Sequence, residues 1–256
     1  MRTLALPVEH GAWAFWLEPA LLGMLLAPSA AGVALVVAAL AALLLQTPLS
    51  LALSDLRRGR HYRRTTLAWR WAAGYALALV ACGASAIWLA PAATFLVSVA
   101  LAAPLALGQL WFDAHGRARE ALPETLGALA MGSLASAVVV AAGWPLAAAL
   151  VPWLVLAART APTIAYVRAR LRLERGERVP LAPVWLGHAA ALAVVAGVVV
   201  ATSASAWLLA PFALLAARAW VGLSPWRRPV GAKVVGFSEL GYGVLTALAV
   251  ALTLTL

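Results

Sequence analysis

The feature that most constrains this chain is a succession of nine apolar runs. Each is close to the roughly 20 residues that one helical crossing of a bilayer requires. They cover residues 12–26, 32–54, 68–89, 92–111, 122–142, 146–166, 182–201, 207–223 and 234–254. Short turn signals separate several of them, at Pro28-Ser29, Ala90-Pro91, Gly143-Trp144-Pro145 and 202–205. Of the 256 residues, 64% are hydrophobic and 11% charged, against about 45–50% and about 25% in soluble domains. A water-soluble core of this size cannot hide that much apolar surface, so the excess must face lipid. The sequence therefore predicts an all-α membrane protein: one polytopic domain over residues 1–256, with about nine transmembrane helices.

The formal net charge is +10. In a soluble chain that would suggest nucleic acid, but here the cations sit in short loops between apolar runs, where membrane topology accounts for them. The loop after the second run carries Arg57, Arg58, Arg60, Arg63 and Arg64, and the loop after the fourth carries Arg117 and Arg119. The loop after the sixth carries Arg168, Arg170, Arg172, Arg175 and Arg178, and the loop after the eighth carries Arg227, Arg228 and Lys233. The intervening loops carry no basic residue. This asymmetry predicts a cytoplasmic N-terminus, an outside C-terminus and an odd number of spans, with anionic membrane lipids as partners. Glu9, Asp55, Asp113, Glu120, Glu124, Glu174, Glu177 and Glu239 gather at the same end, as do three of the four His. Any polar ligand is therefore expected to enter from the cytoplasmic side. No cleavable leader pattern opens the chain. The single cysteine, Cys82, reads as a small core residue.

Two ionisable residues lie deep. Glu18 is eight residues beyond His10, about 12 Å along a helix. A carboxylate there costs at least about 2.5 kcal/mol on insertion scales. It reads either as a ligand or proton site or as a structural pair, for which Arg159 is the candidate. Arg159 interrupts the sixth run seven residues before Tyr166, about 10 Å deep. Pro162 follows and frees a backbone carbonyl, a combination that commonly lines cavities. Asp55 closes the second run and Glu239 opens the ninth; each reads either as a site residue or as a helix-end charge with a local Arg partner. No metal spacing, phosphate loop or Ser-His-Asp set is visible, so neither a cofactor nor a metal is expected. Arginine forks in the loops suit phosphate oxygens, but topology alone would put them there.

Several strings resemble a known family. The opening Pro7-Val-Glu-His-Gly-Ala-Trp13 followed by Glu18-Pro19 resembles the start of the YwiC-like bacterial membrane proteins. The resemblance continues through Asp55-Leu-Arg-Arg-Gly-Arg, Glu120-Ala-Leu-Pro-Glu-Thr-Leu-Gly127 and Gly236-Phe-Ser-Glu239. It implies a bacterial cytoplasmic membrane and adds Glu9, His10 and Trp13 to the candidate residues. The chain is also distantly similar to the UbiA-type intramembrane prenyltransferases, nine-helix bundles that hold Mg²⁺ and a prenyl diphosphate on two Asp-rich motifs after helices two and six. Asp55 stands where the first motif would begin, but Arg57 and Arg58 follow it, and Tyr166-Val-Arg-Ala-Arg170 replaces the second. The carboxylate oxygens that two Mg²⁺ ions require are absent from those positions.

Three functions follow as expectations. The first is a protein binding a lipidic or anionic ligand, isoprenoid or quinone-like, in a cytoplasm-facing cavity with Glu18, Asp55, Arg159 and Glu239 at its polar end. The second is an isoprenoid- or phospholipid-modifying enzyme with arginines in place of Mg²⁺, which requires Arg57, Arg168 and Arg170 to converge. The third is a transporter or membrane accessory protein, against which the apolar outer half counts.

Overall fold

A computed structural model describes residues 10–59 and 62–255, with side chains in the first helix from Trp13 onward. Glu9 and the His10 side chain, both candidates from the sequence, lie outside the described residues. The described chain holds nine α-helices: α1 His10–Leu26, α2 Ala30–Arg57, α3 Arg63–Leu89, α4 Leu96–Ala114, α5 Ala121–Ala141, α6 Leu146–Glu174, α7 Ala182–Thr202, α8 Ala210–Leu223 and α9 Ala232–Thr255. Each coincides with one apolar run. Eight of these segments are long and apolar enough to cross a membrane; the first is the short one. At 17 residues, α1 reaches about 26 Å.

Helix ends follow local chemistry. Ser29 caps α2 by accepting from the Gly32 N–H (2.9 Å), satisfying one donor that a helix start leaves orphaned. Gly143 and Gly176 turn the chain after α5 and α6 with φ of +100° and +78°, a region open to glycine because it lacks Cβ. The fourth and eighth runs open with 3₁₀ turns, Ala93–Phe95 and Ala206–Leu209, so their α-helices start later than the apolar pattern does. At the charged end the reverse holds. α2 and α6, with 28 and 29 residues, are about 42 Å long against about 30 Å of hydrocarbon. The surplus is long enough to carry Arg57 on α2 and Arg168 to Arg172 on α6 past a hydrocarbon layer of that thickness.

α5 is the centre of the packing. It touches α1, α2, α4 and α6, and every residue from Gly132 to Ala141 is buried. α1 lies between α5 and α9, while α7 and α8 flank α6. Leu22, Leu35, Phe95, Val138, Val155, Val195, Leu208 and Val250 form one core. α3 is held chiefly by α2, and most of its surface faces outward. Cys82 is consequently half-buried on α3 and is not the core residue its apolar neighbours suggested; α3 is apolar because lipid surrounds it. Trp88, Trp207 and Trp226 are more than three-quarters exposed, and these outward apolar faces put the bundle in contact with membrane lipid.

Two glycines test this packing. A Cβ at Gly23 would stand 2.9 Å from Val138 Cβ and 3.3 Å from Ala135 Cα, so α1 and α5 depend on its absence, whereas one at Gly74 would meet nothing within 4 Å. Gly23→Leu is expected to destabilise the bundle by about 1–3 kcal/mol. Gly74→Ala should leave it unchanged or slightly more stable. Denaturant unfolding in detergent micelles distinguishes the two.

Candidate functional site

On α6, Arg159, Thr163, Tyr166 and Arg170 recur at spacings of four, three and four, which aligns them on one helical face. That face is turned inward: the four residues are 2%, 5%, 6% and 4% exposed. α1 supplies Glu18, α7 supplies His188, α8 supplies Arg218 and α9 supplies Glu239, all of them buried.

Arg159 is the hub. Its Nη1 donates to Glu18 Oε2 at 2.5 Å, and its Nη2 donates to the Glu239 backbone carbonyl at 3.1 Å. The Glu239 carboxylate in turn accepts from Arg218 Nη1. The Arg218 guanidinium lies 4.0 Å from the centroid of the Tyr166 ring, an attraction between cation and ring quadrupole that strengthens away from water. Two glycines make room: a Cβ at Gly243 would overlap Glu18 Oε1, and one at Gly222 would overlap the Tyr166 hydroxyl. Closer to the charged end, Arg170 donates to the backbone carbonyls of Gly222 and Arg228 and pairs with Glu174 at 2.9 Å.

Several polar atoms of this cluster have no hydrogen-bond partner: Glu18 Oε1, Arg159 Nε, Thr163 Oγ1, His188 Nε2, Arg218 Nη2 and Glu239 Oε1. His188 Nδ1 donates to the Val184 carbonyl (2.9 Å), which leaves Nε2 of the neutral ring as an acceptor. Buried polar atoms are hydrogen-bonded in the great majority of cases, so six in one place mark a locality equipped for more than self-pairing.

The candidates divide. Glu18, Arg159 and Glu239 come together, with Tyr166 joined to them through Arg218; Arg170, on the same face of α6, has its own partners nearer the charged end. Asp55 stands apart, accepting from Thr65 Oγ1 (2.7 Å) and from Arg64 Nη2 (3.1 Å) and Nε (3.4 Å); it ties the end of α2 to the start of α3. Arg57 donates to the Ala114 carbonyl, and Arg168 to Glu124 and the Arg119 carbonyl. Arg57, Arg168 and Arg170 thus hold three separate sets of partners. Trp13 is 36% exposed. In the loop between α4 and α5, Arg117 grips both carboxylate oxygens of Glu120 at 2.6 and 2.8 Å. This contact holds the Glu120 carboxyl below its usual range. A cleft of about 460 Å³ lies between Glu174 and Gly231. Another of about 320 Å³, walled by alanines with Pro162 and Gly187, lies between α6 and α7. Neither is lined by Glu18, Arg159 or Glu239.

Arg218 and His188 also belong to this cluster, although the sequence alone does not single them out. Arg218 falls five residues from the end of its run and passes for an edge charge. One signal was available: Pro211-Phe-Ala-Leu-Leu-Ala-Ala-Arg218 repeats the pattern of Pro152-Trp-Leu-Val-Leu-Ala-Ala-Arg159, so the two buried arginines share a local context.

Removing one partner of a buried pair leaves an uncompensated charge and costs about 3–5 kcal/mol, whereas removing both is close to neutral. Glu18→Leu and Arg159→Leu are each expected to destabilise on that scale, and the double variant to regain most of the loss. Unfolding in detergent micelles measures the cycle, and simple additivity of the two losses would refute the pairing.

A family model for YwiC-like protein matches residues 6–141, from ahead of α1 through α5, including Glu18 and Asp55. No curated protein and no solved structure matches the chain. The family match covers more than half of the sequence, and with its bundle of apolar helices the chain belongs to the YwiC-like family as a multi-pass membrane protein.

Proposed function

We propose that this YwiC-like protein binds the polar head of a lipidic ligand, of the isoprenoid or quinone-like class, at the Glu18–Arg159–Glu239–Arg218 cluster. The observation that carries the reading is the buried Arg159–Glu18 pair surrounded by polar atoms without partners. Charges at membrane depth are costly and concentrate where ligands or ions are handled. In this reading the whole chain is one domain with a UbiA-type arrangement. It sits in the bacterial cytoplasmic membrane with its N-terminus inside, so Tyr166 and Arg170 lie on the cytoplasmic approach to the cluster.

The enzyme reading, with arginines gripping a diphosphate, has less support. Arg57, Arg168 and Arg170 are each engaged elsewhere, and both Asp55 oxygens are occupied by Arg64 and Thr65. The transporter reading meets an outer half dominated by the apolar core around Val138, Val195 and Val250.

Mass spectrometry of lipids retained after detergent extraction tests the proposal. An apolar lipid with an oxygen head should co-purify with the wild-type chain and fall several-fold in Thr163→Val, which leaves both ion pairs intact. Equal retention in the two would sink it. Orientation is checked separately. A reporter active only outside the cytoplasm, fused after Leu256, should be active, and the same reporter inserted at Gly176 should be silent.

A further inference from the structure

We propose that the cluster selects an uncharged hydroxyl head on an apolar tail and rejects phosphate esters; this rests on the lipid-binding reading above. The first ground is electrical. Arg159 and Arg218 face Glu18 and Glu239, each carboxylate holding one guanidinium. His188 gives its Nδ1–H to the Val184 carbonyl. Among the described residues of the cluster, positive and negative charges cancel. Arg170, towards the charged end, is offset by Glu174 and two carbonyls. An anionic guest would bring uncompensated charge into a low-dielectric place, where one charge at the centre of a span is disfavoured by about fiftyfold or more.

The second ground is the kind of atom on offer. Glu18 Oε1, Glu239 Oε1 and His188 Nε2 accept; Arg159 Nε and Arg218 Nη2 donate; Thr163 Oγ1 does both. A hydroxyl donates one hydrogen bond and accepts others, so it can serve a carboxylate and a guanidinium at once. An ionised phosphate ester only accepts. It would satisfy the arginines while its oxygens faced those of Glu18 and Glu239. The carboxylates that hold the arginines in place are thus also the elements that exclude an anion, which is specificity by repulsion.

The third ground is the surroundings. α6 and α7, which carry Thr163 and His188, also enclose the apolar cleft beside Pro162 and Gly187, which is lined by the residues next to those two in the chain rather than by their side chains. A Cβ on Gly187 would lie 3.2 Å from Pro162 Cβ, so the two helices cross closely just where these polar residues sit. A tail lying against alanines and prolines has only dispersion to gain there, and selection falls to the head.

The test uses the full chain in lipid nanodiscs with radiolabelled farnesol and farnesyl diphosphate, which share a tail and differ in head. Wild type is expected to bind farnesol at least about tenfold more tightly than the diphosphate. Thr163→Val should weaken farnesol about fivefold with no effect on the diphosphate. Glu18→Gln removes one negative charge, and should narrow or invert the preference; Glu239→Gln provides the same change on α9 should the first variant fail to fold. Diphosphate binding as tight as farnesol in wild type would overturn the selectivity while leaving lipid binding in place. Binding of neither probe, together with no lipid retained in the mass-spectrometric test, would overturn both readings.

Discussion

Hydrocarbon does not solvate charge, and the arrangement of the half of this bundle nearer its charged end turns on how one carboxylate is answered. Glu18 is 3% exposed, and its partner comes from α6. That pairing draws α1 against α6 and, through the second arm of Arg159, against the backbone of α9. Gly243 follows from it, since a larger residue there would occupy the space of the carboxylate. So does Arg218, because Glu239 brings a second negative charge beside the first and needs its own cation. The desolvation of four charges is offset only if geometry and hydrogen bonding are good. The position of each helix around the cluster is accordingly tightly set.

The rest of the architecture is ordinary apolar packing. α5 is small-residue-rich and fully buried along its second half, which lets α1, α2, α4 and α6 approach closely around it, as small residues do in membranes generally. The bundle therefore has two unlike halves: one held mainly by apolar packing, with the buried Ser98–Ser136 hydrogen bond joining α4 to α5, the other by a polar network whose members come from five helices. The exposed arginines beyond the helix ends make scattered contacts with carbonyls and single carboxylates. At that exposure such contacts contribute about 0–1 kcal/mol each. They add little to the stability of the folded chain.

The nine-helix plan was legible in the sequence because a span is nearly a one-dimensional object: length and hydropathy decide it. Where boundaries moved, the cause was local. 3₁₀ turns delayed α4 and α8, and helices overshot the membrane on the charged side, where hydropathy stops but the helix continues. The depth of Glu18 and Arg159, and their candidacy as partners, could also be read, since few charges lie that deep. Arg218 could not be separated from the edge charges by position. The engagement of Asp55 by Arg64 and Thr65 was legible only as a general habit of helix ends. What one-dimensional reading lacks is azimuth: which face of each helix turns inward. For α6 the spacing of Arg159, Thr163, Tyr166 and Arg170 gave that face away only once α6 was seen to run on to Glu174.

The two members of the central ion pair are 141 residues apart in the chain. A ribosome adding about 5–20 residues per second makes the second member roughly 7–30 s after the first. During that interval the Glu18 carboxylate lacks the cation that answers it in the finished bundle, and an acid within a span is disfavoured by about 2.5–3.5 kcal/mol. The ion pair can therefore close only after the chain has been made as far as α6, and α1 cannot take up its final contacts before then.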